Sequence, residues 1–140
     1  MTKARDDLHA GGCLCGKIRY EVAGPLADIQ LCHCSQCRKA QGSAFAANIP
    51  VTEAQLRFMP GAAEPVLFES SPGKTRAFCG QCGSPLFSRT TARPGVVRLR
   101  AGSLDEPSGA QLGFHIFADS HADWWALDDA LPRFAERAPD

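Results

Sequence analysis

The sequence predicts a single domain that is mainly β. Its 140 residues are enough for one hydrophobic core, since a chain near this length buries about two-thirds of the surface that it exposes when unfolded. Thirteen Gly and ten Pro are spread along the chain, and they divide it into segments too short for long helices. We expect the domain to cover residues 11–135, with flexible ends at residues 1–10 and 136–140.

Alternating side chains identify the strands. In the segment GKIRYEV (16–22) apolar residues alternate with charged ones, which is typical of a strand with one buried face. Four further short strands are predicted, in order, at SAFAANI (43–49), PVLFES (65–70), KTRAFC (74–79) and VVRLRAGSL (96–104). Two short helices are also predicted: one begins at Ser35, which would cap the run CRKAQ, and the other covers Leu127 to Leu131.

Charge and hydropathy exclude several classes of partner. Fifteen Lys and Arg balance fifteen Asp and Glu, and the chain has no long basic arm, so we expect no nucleic-acid partner. No segment approaches the roughly 20 apolar residues of a membrane span, so no membrane partner is expected. The first ten residues have no apolar run of the kind found in a secretory signal, and the predicted location is the cytoplasm. Thiols stay reduced there, so clustered cysteines are more often metal ligands or catalytic groups than disulfides.

The seven cysteines fall into three short motifs. They form C-x-C at Cys13 and Cys15, C-x-C-x-x-C at Cys32, Cys34 and Cys37, and C-x-x-C at Cys79 and Cys82. If Cys13 and Cys15 lie on a strand, their side chains point to the same face and can meet one ion. The segment FCGQCGS around Cys79 and Cys82 is typical of a zinc knuckle.

A tetrahedral zinc needs four thiolates from two such pairs. The outer pairs can supply them, which leaves three cysteines with an unfilled fourth position, the arrangement of a catalytic zinc. Spacing alone leaves a second grouping open, in which Cys34 and Cys37 join Cys79 and Cys82 in one closed site. His33 lies between two of the ligands, so its side chain should point away from them and be hydrogen-bonded or exposed.

The motifs resemble the family of glutathione-dependent formaldehyde-activating enzymes and their relatives, which include centromere protein V. The similar segments are GGCLCGKIRYEV, CHCSQCRKAQGSAFAANI, KTRAFCGQCGSPLF, RAGSLDEP and HIFADSHADWW. The resemblance implies the Mss4-like fold, in which zinc staples coiled antiparallel β-sheets. It also implies two zinc ions, one structural at Cys13, Cys15, Cys79 and Cys82, and one catalytic at Cys32, Cys34 and Cys37.

The chemistry implied by the resemblance is that of a carbon–sulfur lyase or synthase. Zinc at the three central cysteines would bind the sulfur of glutathione and lower its pKa. The thiolate would then attack formaldehyde and give S-hydroxymethylglutathione, with the three cysteines acting as ligands and not as nucleophiles. The candidates for binding the substrate carboxylates are Arg38, Lys39, Arg76, Arg98 and Arg100. Arg98 and Arg100 share one strand face, for which a solvated face is the favoured interpretation.

Other interpretations remain open at the level of sequence. The protein could act on another small thiol adduct, or be a zinc-stapled binding module without catalysis, and it could form a homo-oligomer. A polar and aromatic patch near the C-terminus could cover a site, although packing is the favoured role for each of its members, which are His115, His121, Trp124 and Trp125.

Overall fold

The computed structural model describes residues 7–139, which contain ten strands, one α-helix and three short 3₁₀ helices. The strands are β1 (Leu8–Gly12), β2 (Arg19–Ala23), β3 (Ile29–Cys32), β4 (Ala46–Thr52), β5 (Leu56–Phe58), β6 (Val66–Ser71), β7 (Lys74–Phe78), β8 (Pro85–Thr90), β9 (Val96–Arg100) and β10 (Leu112–Ile116). The α-helix is α1 (Ser35–Gln41), and the 3₁₀ helices cover Glu53–Gln55, Ala101–Ser103 and Ala118–Ser120. None of the helices in the described part of the chain is long and apolar enough to cross a membrane.

The strands form two sheets. The smaller sheet has the order β1-β2-β5, and the larger has the order β10-β3-β4-β9-β8-β7-β6. Paired strands are antiparallel except for β10 and β3, which are parallel. The predicted mainly β fold is therefore confirmed, with one parallel pair added to the expected antiparallel sheets.

The hydrophobic core joins the two sheets. Tyr20 and Val22 from β2 belong to the same buried cluster as Ile49, Leu86 and Leu99 from the larger sheet. This burial explains the alternation that predicted β2, because its apolar side chains face the larger sheet while its charged ones do not. Burial of the Tyr20 ring raises the pKa of its hydroxyl to about 12.

The predicted strands match only some of the observed ones. All five predicted strands have a counterpart, in β2, β4, β6, β7 and β9. β9 stops at Arg100, and the predicted continuation is the 3₁₀ helix Ala101–Ser103. The strands β1, β3, β5, β8 and β10 were not predicted.

The predicted helix over Leu127 to Leu131 is wrong. These residues run without regular structure toward a segment that lies beside β10. The Asp129 carboxylate accepts a hydrogen bond from the Leu131 amide, and the His115 amide donates to the Pro132 carbonyl. A side chain that bonds the nearby backbone competes with helix formation, and the proline that follows disfavours helical backbone before it.

The expected domain limits also need correction. Residues 8–10 lie in β1 and pair with β2, so the domain begins before residue 11. Residues 1–6 and 140 lie outside the described part of the chain. Near the other end, the Phe117 amide donates to the Glu136 carbonyl and Ala138 packs against a buried cluster, so the domain also continues past residue 135.

Helix α1 begins at Ser35, as predicted, but Ser35 is not its cap. The N-cap is Cys34, whose Sγ accepts a hydrogen bond from the Cys37 amide at 3.3 Å. A residue at the N-cap satisfies amides that the first turn of a helix leaves without partners. The start of α1 is therefore built around two of the three central cysteines.

Candidate functional site

The four outer cysteines converge to form one cluster, called here the outer cluster, whose members are Cys13, Cys15, Cys79 and Cys82. Their sulfur atoms all lie within 4.8 Å of one another. Cys13 Sγ is 3.5 Å from Cys15 Sγ, which is 3.8 Å from Cys79 Sγ. Zinc–sulfur bonds of about 2.3 Å in a tetrahedron imply sulfur separations of about 3.8 Å. The donor set and its spacing therefore fit a four-thiolate zinc.

Turns, and not strands, bring these sulfurs together. The expectation that Cys13 and Cys15 lie on a strand is wrong, because β1 ends at Gly12 and the Gly16 amide closes a turn on the Cys13 carbonyl. A similar turn follows β7, where the Gly83 amide donates to the Cys79 carbonyl at 2.8 Å. Gly83 has a φ of 79°, a backbone conformation that side chains disfavour. The FCGQCGS motif thus forms a tight turn that brings Cys79 and Cys82 into the outer cluster.

Backbone amides and one hydroxyl hydrogen-bond to sulfurs of the outer cluster. The Ile18 amide donates to Cys13 Sγ at 3.3 Å, and the Gln81 amide donates to Cys79 Sγ at 3.4 Å. The Ser84 hydroxyl lies 3.1 Å from Cys82 Sγ and accepts from the Leu14 amide. This hydroxyl is the main cause that lowers the pKa of Cys82 to about 5. Ser84 links the two turns, a role that sequence reasoning missed.

The three central cysteines form a second cluster, called here the triplet: Cys32, Cys34 and Cys37. Cys32 ends β3, and their three sulfurs lie within 4.8 Å of one another. Within residues 7–139 no further histidine, cysteine or carboxylate belongs to this cluster. The alternative grouping of Cys34 and Cys37 with Cys79 and Cys82 is wrong, since the structure separates the two sets. The triplet therefore fits a zinc with a free coordination position.

A cavity of about 310 Å³ lies against the triplet and is called here the triplet cavity. Its cationic side chains come from distant parts of the chain, and no carboxylate lines it among the described residues: the cations are Lys74, Arg76, Arg98 and Arg137. Sequence reasoning missed Lys74 and Arg137. The cavity carries the charge expected of a binding site for an anionic small molecule.

Arg76 contacts the triplet directly. Its two terminal nitrogens each lie 3.8 Å from Cys37 Sγ, and its Nε donates to the Ser70 hydroxyl at 3.0 Å. Hydrogen bonds from the neighbouring cysteines, followed by the charge of Arg76, lower the pKa of Cys37. Burial lowers the pKa of Lys74 and of Arg98.

The other predicted cations lie elsewhere. Arg38 donates through Nε to the His33 carbonyl, and Lys39 and Arg100 line a neighbouring cavity. The solvated-face interpretation is wrong for Arg100, which is 4% exposed and donates to the Gln41 side chain at 2.8 Å. Burial lowers its pKa to about 10. Of the five candidates, the structure therefore brings only Arg76 and Arg98 to the triplet cavity.

His33 points away from the triplet sulfurs, as predicted, and belongs to a buried chain of hydrogen bonds. Its Nε2 lies 2.8 Å from His115 Nδ1, and His115 Nε2 lies 2.9 Å from the Asp129 carboxylate. Because a carboxylate accepts, His115 Nε2 carries the proton in its hydrogen bond to Asp129. Burial, with His115 as a second cause, lowers the pKa of His33 to about 4, so the His33 ring is held neutral at neutral pH.

The C-terminal patch does not cover the triplet, and three of its four residues are exposed. His115 is buried, and the Trp125 ring lies against Phe45 with 5.5 Å between the centroids. His121 and Trp124 are exceptions to the expected packing, because both are exposed, Trp124 to 68%. None of the four predicted patch residues lines the triplet cavity, whereas Phe117 does.

Comparison with known proteins agrees with this architecture. The chain resembles a crystal structure of a Rhodobacter sphaeroides protein with a TM-score of 0.59 and 26% sequence identity, over 69% of this chain and 88% of that one. A family model described as glutathione-dependent formaldehyde-activating enzyme matches residues 8–120. That match includes both cysteine clusters. The chain therefore belongs to the family of glutathione-dependent formaldehyde-activating enzymes.

Proposed function

We propose that this protein is a carbon–sulfur lyase or synthase that interconverts glutathione plus formaldehyde and S-hydroxymethylglutathione at the triplet. One observation carries the proposal: three converging cysteine sulfurs with no fourth protein ligand in the described chain lie against a cavity lined by four cations. Four thiolates close a zinc site, whereas three leave a position for a substrate. Family membership supports the same chemistry.

Two zinc ions are the cofactors that we propose. The outer cluster would hold one and stabilise the fold, and the triplet would hold the other. Zinc at the triplet would supply a Lewis acid that keeps an added thiol in its thiolate form at neutral pH.

The triplet cavity suits the rest of glutathione. This tripeptide has carboxylates at both ends, and Lys74, Arg98 and Arg137 offer cations with no carboxylate among the described residues that line the cavity. Charge-assisted hydrogen bonds of this kind are stronger than neutral ones. A volume of about 310 Å³ falls at the lower end of the range for small-molecule sites, roughly 300–1,000 Å³.

Arg76 is the residue that we assign to the reacting carbonyl. The glutathione sulfur forms a bond to the aldehyde carbon, the carbonyl electron pair moves onto oxygen, and that oxygen takes a proton from solvent to replace the one that the thiol lost. A fixed guanidinium beside the reacting sulfur stabilises the negative charge on this oxygen before protonation. Ser70 holds Arg76 through its Nε, which leaves the terminal nitrogens to face Cys37 and the cavity.

Cobalt substitution tests the proposal directly. Glutathione should add a sulfur-to-metal charge-transfer band at a cobalt-loaded triplet, whereas S-methylglutathione, which supplies no thiolate, should not. Cys34→Ser, which removes a triplet ligand, is the control and should lose the response. The zinc protein should also speed the approach to equilibrium between glutathione, formaldehyde and their adduct. A spectrum indifferent to glutathione, together with no acceleration, would favour another thiol adduct or a non-catalytic zinc-stapled binding module.

The proposed cellular location and partners rest on the cysteines and on the net charge. All seven cysteines are free thiols in the structure, and a reducing cytoplasm would keep them available for zinc. The net charge of zero gives no reason to propose a nucleic-acid partner. A homo-oligomer stays a prediction.

A further inference from the structure

A second cavity, called here the apolar cavity, adjoins the triplet cavity. Its volume is about 420 Å³, and it shares Gln36 and Arg76 with the triplet cavity. Most of its wall is hydrocarbon, from Ala40, Phe68, Ala77, Phe78, Pro85 and Phe87. The two cavities therefore meet on either side of the arginine that faces Cys37.

Four of the polar side chains that line the apolar cavity hydrogen-bond to one another in pairs. Arg100 donates to the Gln41 side chain at 2.8 Å, and Arg76 donates to the Ser70 hydroxyl at 3.0 Å. Lys39 is exposed and can keep its ammonium group in water. The surface left for a ligand is therefore mainly apolar, and burying an apolar group against it is favourable.

Formaldehyde does not need this cavity. Its single carbon and single oxygen react at the sulfur and leave about 420 Å³ of apolar space without substrate. A longer aldehyde has the same carbonyl, and its carbon chain would extend from the reacting sulfur past Arg76.

We propose that the apolar cavity binds the hydrocarbon side chain of a larger aldehyde, so that the enzyme acts on hemithioacetals of glutathione with apolar aldehydes. This inference rests on the proposed function. The reaction is the same addition: the thiol sulfur bonds to the carbonyl carbon, and the carbonyl oxygen becomes a hydroxyl with the proton that the thiol released. Only the group attached to the carbonyl carbon differs.

Binding measurements test the cavity without relying on catalysis. S-methyl-, S-butyl- and S-hexylglutathione should bind the zinc-loaded protein with affinities that rise by up to about fourfold per added methylene, the value for full burial of that group. Calorimetry measures this series. Affinities that do not change from methyl to hexyl would overturn the proposal.

Substitution of Ala40 should remove the gradient. Ala40 is an exposed position on α1 that lines the apolar cavity, and Ala40→Trp would fill part of it. The matched control is Ala54→Trp, also at an exposed alanine but outside both cavities. Ala40→Trp should weaken the binding of S-hexylglutathione by about tenfold and so flatten the S-alkyl series. Ala54→Trp should leave the series unchanged. An equal gradient in both variants would contradict the proposal.

A second pair of variants removes apolar surface instead of adding it. Phe68 lines the apolar cavity and is 60% exposed, while Leu112 lies on the strand at the opposite edge of the sheet and is 54% exposed. Phe68→Ala should weaken S-hexylglutathione more than S-methylglutathione, and Leu112→Ala should affect neither. Loss of S-hexyl binding in Leu112→Ala alone would overturn the assignment.

Rates with an aldehyde series separate this inference from the proposed function. A kcat/KM that rises from propanal to heptanal supports both the proposed function and the apolar subsite. Acceleration with formaldehyde and a flat aldehyde series overturns the apolar subsite and leaves the proposed function intact. A graded S-alkyl binding series without acceleration of any aldehyde supports the subsite and overturns the proposed catalysis.

Discussion

Arg76 contacts the triplet at Cys37 and lines both cavities. If it stabilises the developing oxyanion, Arg76→Met should lower kcat by about 100-fold, the lower end of the loss seen on removing one such donor. The binding of glutathione should change much less, because the other cavity cations remain. Steady-state kinetics at matched zinc content measures both quantities.

Arg57→Met is the control for that prediction. Arg57 lies on β5 with a side chain that is 69% exposed, and its ion pair with Glu21 spans 3.9 Å. Exposed pairs of this kind contribute little to stability, so the variant should keep its activity. Equal losses of kcat in both variants would show that Arg76 has no special role in the reaction.

Substitution of single cysteines should distinguish the two clusters. Cys13→Ser or Cys79→Ser removes a ligand of the outer cluster and should prevent folding, because the binding energy of a structural zinc contributes directly to folding. Cys34→Ser should give a folded protein that lacks one zinc. Circular dichroism and metal analysis of the purified variants provide the measurement. If Cys34→Ser unfolded while Cys79→Ser did not, the two roles would be reversed.

The predictability of the site differs between its residues. Cysteine spacing identified every candidate ligand, but it could not decide the grouping, since Cys34 and Cys37 have the same C-x-x-C spacing as Cys79 and Cys82. The grouping depends on which turns meet in space, and the family resemblance supplied it. Lys74 and Arg137 were missed because they belong to no local motif and reach the cavity only through sheet pairing and a distant C-terminal segment.

Strands with a clear period of two were the predictable elements. Four of the five missed strands lack this signal for identifiable reasons: β3 and β5 are very short, β8 begins with Pro85, and Gly113 interrupts β10. Their pairing is long-range, as between β10 and β3, so no local pattern encodes it. The helix predicted over Leu127 to Leu131 is also absent, because contacts with β10 prevail there.

The hairpin of β6 and β7 holds Lys74 and Arg76, and its turn depends on Gly73. This residue has a φ of 77°, and an added Cβ would lie 2.6 Å from Thr91 Oγ1. Gly73→Ala should therefore suffer both backbone strain and a steric clash. Gly61, with a φ of 82° and open space around it, is the matched control.

Gly61→Ala should lower the free energy of unfolding by about 1–2 kcal/mol, the cost of left-handed backbone, and Gly73→Ala should lower it further. Urea unfolding at saturating zinc measures the difference. Equal losses would mean that Thr91 moves aside without cost. Because Gly73 precedes Lys74, Gly73→Ala should also weaken glutathione binding, whereas Gly61→Ala should not.

The outer cluster joins the two sheets of the molecule. Cys13 and Cys15 follow β1 of the smaller sheet, while Cys79 and Cys82 follow β7 of the larger one. Zinc at this position would hold together layers that otherwise meet through the hydrophobic core. The triplet differs, because its three residues come from β3 and the start of α1, which are adjacent in the chain. Loss of zinc there should leave the packing of the two sheets intact.

The last prediction follows from this difference. The purified protein should carry two zinc ions, and a chelator should remove them in two phases. The triplet zinc, with a free position open to competing ligands, should leave first without loss of the folded structure. The outer zinc, held by four thiolates with amide hydrogen bonds to Cys13 and Cys79, should leave slowly and together with unfolding.

Cys34→Ser should show only the slow phase, and glutathione should slow the fast phase in the unmodified protein by occupying the free position. A single phase that releases both ions as the protein unfolds would contradict both the assignment of the two clusters and the proposed open site.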